Sequence, residues 1–266
     1  MSSQPSPSTA WALETERIGR QVLVYDQLPS TNSLAAELAT SLPEGTVLIA
    51  QQQTAGRGRY GRVWQSRPGS SLLMSVILRP PPALRRPSVM TAWAAVAVGD
   101  AIFRLARLQA RIKWPNDLLI RGKKVCGILI EQGHGGTGEG PRTIVGIGLN
   151  LNQSAEEFLD AELPDAASLS VFTSGNYELR SAAEVVLRCL DSEYSRLLAN
   201  EIVAVEADWK WRIGLLGKDV MVERTDGSTI AGRLREMSFE SLELEQESVV
   251  PLLIPPESVA HIWAIS

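Results

Sequence analysis

The spacing of hydrophobic residues predicts a long stretch of mixed helices and strands followed by a short, strand-rich end. Runs that alternate between apolar and polar residues predict strands, and apolar residues that recur every three or four positions predict helices. We expect strands at residues 21–25, 46–52, 72–79, 111–114, 118–120, 124–131 and 143–152, and helices at 30–39, 88–108 and 181–200, with a further helical stretch up to Trp211.

The pattern changes after Gly217, where short alternating runs are separated by tight turns. These runs are typical of a small separate β-barrel, and they cover residues 219–224, 229–234, 242–244, 249–254 and 260–263. We therefore expect a main domain at 19–214 and a small C-terminal domain at 215–266. The Ser/Pro-rich start lacks the basic and apolar regions of a signal peptide, so residues 1–18 are expected to be a disordered lead-in.

Composition limits the classes of function that are compatible with the chain. Of 266 residues, 44% are hydrophobic, and 26 basic against 30 acidic residues give a net charge of −4, with no basic excess to hold a nucleic-acid backbone. The two cysteines are too few for a disulfide framework or a zinc site, which favours a cytoplasmic protein. The most apolar segment, 89–99, is too short to span a bilayer, so we expect a buried helix and no membrane association.

The most unusual stretch is Gly56-Arg57-Gly58-Arg59-Tyr60-Gly61-Arg62. Glycine weakens a helix or a central strand, so these residues predict a loop between two strands. Glycine lets backbone N–H groups approach a ligand, and arginine offers planar charged groups that fit carboxylates and phosphates. A solvated loop is the simpler interpretation, but the flanking strands favour an ordered loop that binds a small anion.

Other segments carry polar residues at places where regular structure begins or is interrupted. Ser30, Thr31 and Asn32 precede an apolar-periodic run and predict a helix N-cap, whose free N–H groups could also bind a polar ligand. Lys113-Trp114-Pro115-Asn116-Asp117 must turn or bulge at the proline. Gly146 and Gly148 lie on one face of a strand, so either a neighbouring backbone or a flat ligand approaches that face.

Four segments occur in an order that resembles the biotin protein ligases. They are Ser30-Thr31-Asn32, Gln53 with the Gly/Arg loop, Lys113–Asp117 with Lys124 and Gly127, and the glycines at 146 and 148. The resemblance implies an α/β (α+β) fold in which a mixed-sheet catalytic domain is followed by an SH3-like barrel. It also implies two reactions: biotin and MgATP form biotinyl-5′-adenylate and pyrophosphate, and a lysine of a biotin carboxyl carrier domain then receives the biotin. With about twenty residues before the first strand, the chain resembles the monofunctional ligases, which lack an N-terminal DNA-binding domain.

The resemblance also implies roles for individual residues. Lys124, Arg59 and Asp117 would be catalytic, and Asp117 would coordinate the metal or take a proton from the attacking lysine. The biotin site would consist of Ser30, Thr31, Asn32, Gln53, Gly56, Arg57, Gly127, Gly146 and Gly148. The nucleotide would contact Arg57, Arg59, Lys124, Asn116 and Asn150, and Phe158 would either stack on adenine or anchor its own loop. Arg62 and Trp64 would position the Gly/Arg loop, where Tyr60 replaces the arginine of the commonest form of the motif.

Two alternatives stay open. A lipoate or octanoate ligase or transferase would share the fold, and Cys126 would suit a thioester mechanism, although a small buried hydrophobe is its simpler role. A non-enzymatic biotin sensor would bind biotin without forming the adenylate. A Ser or Cys hydrolase is disfavoured, because only His134 and His261 could serve as the base, and they lie in a glycine-rich turn and in the predicted barrel. Some family members form homodimers, and the sequence leaves that possibility open.

Overall fold

The computed structural model describes residues 5–133, 141–246 and 250–265. The predicted glycine-rich connection at 133–140 lies outside the described residues, except for Gly133.

The main domain is built on a mixed eight-stranded sheet. The strands of this sheet are β1 (Thr9–Trp11), β2 (Val22–Leu28), β3 (Val47–Gln53), β6 (Ser71–Leu78), β7 (Arg111–Lys113), β8 (Asp117–Ile120), β9 (Lys123–Gly133) and β10 (Arg142–Asn150). Two further strands, β4 (Gly56–Arg57) and β5 (Val63–Trp64), form a separate ribbon. The order in the sheet is β1-β2-β3-β6-β10-β9-β8-β7, and β2 and β3 run parallel while the other neighbours are antiparallel. β4 and β5 pair with each other.

Helices cover both faces of this sheet. They are α1 (Thr31–Leu38), α2 (Pro87–Ala106), α3 (Ala155–Asp160), α4 (Leu169–Thr173), α5 (Leu179–Leu198) and α6 (Ile202–Ile213). β6 is buried at all eight positions, because its alternate side chains enter two different cores. α1 packs on one face, and α2 with α5 forms the larger core on the other. A strand covered on both faces is expected to be largely apolar, and in β6 the two polar residues are Ser71 and Ser75.

The apolar helix α2 has 20 residues, so the sequence argument that this segment is too short for a bilayer was wrong. By length and composition α2 could span a membrane, but 67% of its apolar window is buried inside the protein. Its contacts are with α5, α6 and β9, which makes it the central helix of the core. It begins at Pro87 after Arg86, whereas Ser88 donates a hydrogen bond to Glu257 and does not cap the helix.

The N-terminal expectation is corrected from Ser8 onwards. β1 pairs with β2, and Asp191 of α5 accepts hydrogen bonds from the backbone N–H groups of residues 16, 17 and 18 at 2.9, 2.8 and 2.8 Å. Composition suggested disorder because the partners that hold this segment lie far away in the sequence. The segment after Asn152, where the sequence pattern predicted no helix or strand, contains α3, which begins with a capping box between Ser154 and Glu157.

The C-terminal residues form a five-stranded antiparallel sheet. Its strands are β11 (Asp219–Arg224), β12 (Thr229–Met237), β13 (Leu242–Glu245), β14 (Leu252–Ile254) and β15 (Val259–Ala264), in the order β14-β13-β12-β11-β15. Within the part of the chain that the structure describes, β14 and β15 are not paired, so the sheet is open where a closed barrel was expected.

Aromatic contacts fix this small sheet against the main domain. Trp114 donates a hydrogen bond from Nε1 to the carbonyl oxygen of Val259 at 3.0 Å, and both groups are buried. The Trp209 ring lies between those of Trp114 and Phe239, at centroid distances of 5.6 and 5.2 Å. The turn that contains Pro115 and Asp117 is therefore held beside β15.

Candidate functional site

A cavity of about 620 Å³ opens over the glycine-containing parts of β9 and β10. Its walls come from the start of α1, the end of β3, the Gly/Arg ribbon, the turn before β8, and the segment after α3. A volume of this size suits a small-molecule ligand. Every predicted site residue except Gly56 lines the cavity: Ser30, Thr31, Asn32, Gln53, Arg57, Arg59, Asn116, Asp117, Lys124, Gly127, Gly146, Gly148 and Asn150.

One end of the cavity is polar because α1 begins there. Ser30 is the N-cap, as the sequence predicted, and its hydroxyl oxygen accepts from the N–H of Ser33 at 3.5 Å. Thr31 donates to Gln53 Oε1 from both its backbone N–H, at 2.7 Å, and its hydroxyl, at 3.0 Å. The Gln53 carboxamide is therefore fixed in one orientation beside a helix N-terminus, where it can serve as a hydrogen-bonding group for a polar ring.

The floor of the cavity is a pair of glycines that face each other across two strands. Gly127 of β9 pairs with Gly148 of β10, and the Trp64 indole lies over both. A Cβ atom on Gly148 would lie 2.7 Å from Trp64 Cε2, and one on Gly127 would lie 2.9 Å from Trp64 Cζ3. A flat group therefore does approach this face, and in this structure the group is an indole of the protein itself.

The Gly/Arg stretch folds as a short ribbon in which β4 pairs with β5 and Arg59–Gly61 forms a 3₁₀ turn. Gly56 does not line the cavity, and its contact with biotin stays a prediction. A Cβ atom at Gly56 would lie 2.4 Å from the carbonyl oxygen of Trp64, so the ribbon itself requires glycine there. Arg57, Arg59 and Trp64 all line the cavity.

Two cations of the site have carboxylate partners within the protein. Lys124 Nζ lies 2.7 Å from Asp117 Oδ1 and 5.5 Å from the centroid of the Trp64 ring. Arg57 Nη2 lies 2.8 Å from Glu131 Oε2. The site therefore presents positive groups whose charge is partly balanced before any ligand arrives, and an anionic ligand must compete with these carboxylates.

The two asparagines are held by bonds within the protein. Asn116 donates from Nδ2 to the carbonyl oxygen of Ile128 at 2.8 Å. Asn150 donates to the carbonyl oxygen of Ala167 at 3.0 Å and accepts from Gln153 Nε2 at 3.2 Å. Asn150 therefore ties the end of β10 to the segment that follows α3, and its contact with a nucleotide stays a prediction. Phe158 is 7% exposed and also lines the cavity, so both of its proposed roles are compatible with its position.

The carboxylates around the cavity fit a metal ion that arrives with a nucleotide. Asp117, Glu162 and Asp165 line it, but no cluster of three metal-binding side chains occurs among residues 5–133, 141–246 and 250–265. Mg²⁺ is commonly held by one or two carboxylates together with substrate phosphates. Asp117 could supply one such oxygen, although its bond to Lys124 competes with that role.

Sequence reasoning missed one residue that lines the cavity, His261, and one that lies beside it, Glu131. His261 of β15 lines the cavity, although the small domain that carries it seemed separate from the chemistry. Glu131 follows Gly127 and Leu129 on the same face of β9, and an acidic residue on the apolar, cavity-side face of a strand was a visible signal. Cys126 has the opposite orientation: its side chain is fully buried, and burial raises the pKa of its thiol far above the usual range.

Comparison with known proteins agrees with this geometry. Residues 24–150 match the model of the biotin/lipoate A/B protein ligase family. A bifunctional ligase/repressor BirA of Bacillus subtilis is 37% identical over 259 residues, which cover 96% of this chain and 75% of that protein. A biotin–[acetyl-CoA-carboxylase] ligase of Mycobacterium tuberculosis is 33% identical over 227 residues, covering 82% of this chain and 80% of the relative.

The fold is also similar to that of a solved structure. The biotin protein ligase from Aquifex aeolicus, in complex with biotin and ATP, superposes with a TM-score of 0.76 and 24% identity. The match covers 92% of this chain and 99% of the other. At that identity the likeness concerns the fold, which includes the small C-terminal sheet.

Proposed function

The chain belongs to the biotin protein ligase family, and we propose that it is an ATP-dependent biotin–[biotin carboxyl carrier protein] ligase. It forms biotinyl-5′-adenylate and pyrophosphate from biotin and MgATP, and then transfers biotin to a lysine of a carrier domain. The observation that carries this proposal is one cavity that joins a polar helix start, a flat glycine floor and a cluster of cations.

The polar end and the floor suit the fused rings of biotin. Ser30, Thr31 and Gln53 offer donors and acceptors for the ureido group, and Gln53 is already oriented by its two bonds from Thr31. Gly127 and Gly148 leave a flat surface for the ring system, and the Trp64 indole must shift or form the opposite wall when biotin enters. Asn32 and Gly146 belong to the same end, where their packing fixes the shape of the wall.

The cations suit the first reaction, in which the biotin carboxylate attacks the α-phosphate of ATP. Two anions must approach each other, so catalysis requires positive charge around them more than it requires a nucleophilic side chain. Lys124 would contact the reacting carboxylate and phosphoryl oxygens, while Arg57 and Arg59 hold the carboxylate and the adenylate phosphate. Mg²⁺ would come with ATP and neutralise charge on the leaving pyrophosphate, with Asp117 the carboxylate available to it.

The second reaction needs an unprotonated lysine of the carrier and an adenylate protected from water. Asp117 would take a proton from the attacking amine, and Asn116, fixed by its bond to β9, would orient groups beside it. The ribbon that carries Arg59 would cover the adenylate and exclude water from the anhydride. Asn150 and Phe158 would form the nucleotide side of the cavity.

His261 gives the C-terminal sheet a role in this scheme. We place the boundary between the catalytic domain and this small domain after residue 214; the catalytic domain includes β1, so it begins before the residue 19 that the sequence suggested. Through Trp114 and Trp209 the small sheet packs against the turn before β8, and His261 reaches the cavity from β15. An imidazole there can donate a hydrogen bond to a phosphate or meet the incoming carrier domain.

The partner and location of the protein are also proposals. The acceptor would be the carrier domain of acetyl-CoA carboxylase or a related carboxylase, encountered in the cytoplasm without a membrane or nucleic acid. The net charge of −4 supports the absence of nucleic acid, because non-specific binding needs a basic surface. A homodimer would be compatible with this scheme.

Pyrophosphate release from MgATP tests the proposal. Biotin should support release, whereas lipoate and octanoate should not. The buried Cys126 thiol disfavours the thioester transfer considered from the sequence, because a thiolate must be accessible to act as a nucleophile. Release with lipoate or octanoate alone would identify a ligase of the sister type, and biotin binding without release would identify a sensor.

A further inference from the structure

The carboxylate of Glu131 joins the floor of the cavity to the Gly/Arg ribbon. A single oxygen, Oε2, accepts hydrogen bonds from Asn32 Nδ2 at 2.7 Å and from Arg57 Nη2 at 2.8 Å. Asn32 belongs to the start of α1, and Arg57 belongs to β4 of the ribbon. Glu131 itself does not line the cavity, so it contacts residues that form the site and does not contact the ligand.

Asn32 is a rigid partner. It is 4% exposed, its Oδ1 accepts from the Ser75 hydroxyl at 2.5 Å, and its Nδ2 also lies 3.4 Å from the carbonyl oxygen of Leu129. Its carboxamide lies so close to Gly146 that a Cβ atom there would be 2.3 Å from Oδ1. Because these neighbours fix the amide in place, the position of the Glu131 carboxylate is fixed as well.

Arg57 is a much less constrained partner. Its side chain is 46% exposed, and β4 and β5 have only two residues each. Short ribbons of this kind are only marginally stable by themselves. A hydrogen bond between ionised groups is stronger than one between neutral groups, and here it links the ribbon to a buried network.

We propose that Glu131 is a positioning residue that holds the Gly/Arg ribbon at the edge of the cavity by acting through Arg57. The effect of Glu131 on catalysis rests on the proposed function, because the same ribbon carries Arg59, which would cover the adenylate. An exposed ion pair alone contributes little to global stability. Loss of Glu131 therefore frees the ribbon while the fold stays intact.

Limited digestion with trypsin reports on the ribbon without any ligand, because trypsin cleaves after Arg57, Arg59 and Arg62. Glu131→Ala and Glu131→Gln should increase the rate of cleavage in the ribbon, for Glu131→Ala on the order of tenfold, with fragments identified by mass. Gln keeps an oxygen acceptor for Asn32 but loses the charge, so its effect should be smaller. Glu37→Gln, an exposed acidic residue on α1, is the matched control and should cleave like wild type.

A double variant tests whether Glu131 acts through Arg57. In an Arg57→Ala background, Glu131→Ala should add little to cleavage at the two remaining arginines, because the bond is already lost. A full additional effect would overturn the proposal and assign the role to the contact with Asn32. Equal cleavage rates in wild type and in both Glu131 variants, with unchanged circular dichroism, would overturn it entirely.

The catalytic consequence is measured on preformed biotinyl-5′-adenylate. Its release from Glu131→Ala should be faster than from wild type and Glu37→Gln, while Glu131→Gln gives an intermediate rate. If wild type shows no biotin-dependent pyrophosphate release, the proposed function fails, but the digestion experiment still decides the positioning role. If release of the adenylate is unchanged although cleavage is faster, the ribbon does not cover the adenylate and the catalytic part of the proposal is refuted.

Discussion

Replacing Gly146 with alanine should destabilise the whole protein, whereas the same change at Gly148 should not. At Gly146 the new Cβ atom would lie 2.3 Å from Asn32 Oδ1, about 1 Å short of an ordinary contact of 3.4 Å. Asn32 cannot move away freely, because it is 4% exposed and is bonded to Ser75 and Glu131. The substitution must either break one of these bonds or displace β10.

The magnitude follows from two costs. A buried polar group that loses its partner costs about 1–3 kcal/mol, and overpacking of a dense site costs about 1–3 kcal/mol more. For a protein of this size each 1 kcal/mol lowers the melting temperature by about 2–4 °C. Gly146→Ala should therefore cost about 2–6 kcal/mol and lower the melting temperature by roughly 4–24 °C.

Gly148→Ala is the matched control. Its Cβ atom would meet the Trp64 indole at 2.7 Å, but Trp64 belongs to the short ribbon, and its Nε1 has no hydrogen-bond partner among the described residues. The indole can therefore shift at a cost of about 1 kcal/mol or less. Thermal unfolding and biotin titration separate the two variants: both should bind biotin weakly, but only Gly146→Ala should unfold early. Equal melting temperatures for the two variants would refute this account of Asn32.

The remaining predictions concern individual side chains. Lys124→Ala should reduce biotin-dependent pyrophosphate release by about 10²–10³-fold, whereas Lys218→Ala, an exposed lysine that does not line the cavity, should stay near wild type; equal activities would exclude Lys124 from catalysis. His261→Ala should raise the KM for ATP or for the carrier and leave biotin affinity unchanged, and an unchanged KM for both would exclude that role. Burial raises the pKa of Cys189 to about 11 and that of Cys126 further, so neither thiol should be alkylated at pH 8 in the folded protein; rapid labelling would show that the hydrophobic core opens.

Part of the site could be predicted because short-range structure, such as a helix cap or a close contact with a strand, determines the residue type at those positions. Ser30 caps a helix and Gly148 lies under a flat ring, and both signals are visible in a few neighbouring residues, whereas Gly127 was assigned through the resemblance to the family. The long apolar run of α2 likewise predicted a core helix, although its start was placed at Ser88 instead of Pro87.

Other features could not be predicted because their causes lie far away in the sequence. The segment from Ser8 to Ile18 is ordered by β2 and by Asp191, more than 170 residues later. His261 reaches the cavity only because Trp114 and Trp209 hold the C-terminal sheet beside it. In each case a tertiary contact overrides or completes a weak local pattern.

The most direct test of the central claim is the mass of a biotin carboxyl carrier domain after incubation with the protein, biotin and MgATP. The account predicts one added biotinyl group on a single lysine, no addition without ATP, and very slow addition with Lys124→Ala. An unmodified carrier in the presence of folded wild-type protein that releases no pyrophosphate would contradict the account, as would transfer of lipoate in place of biotin.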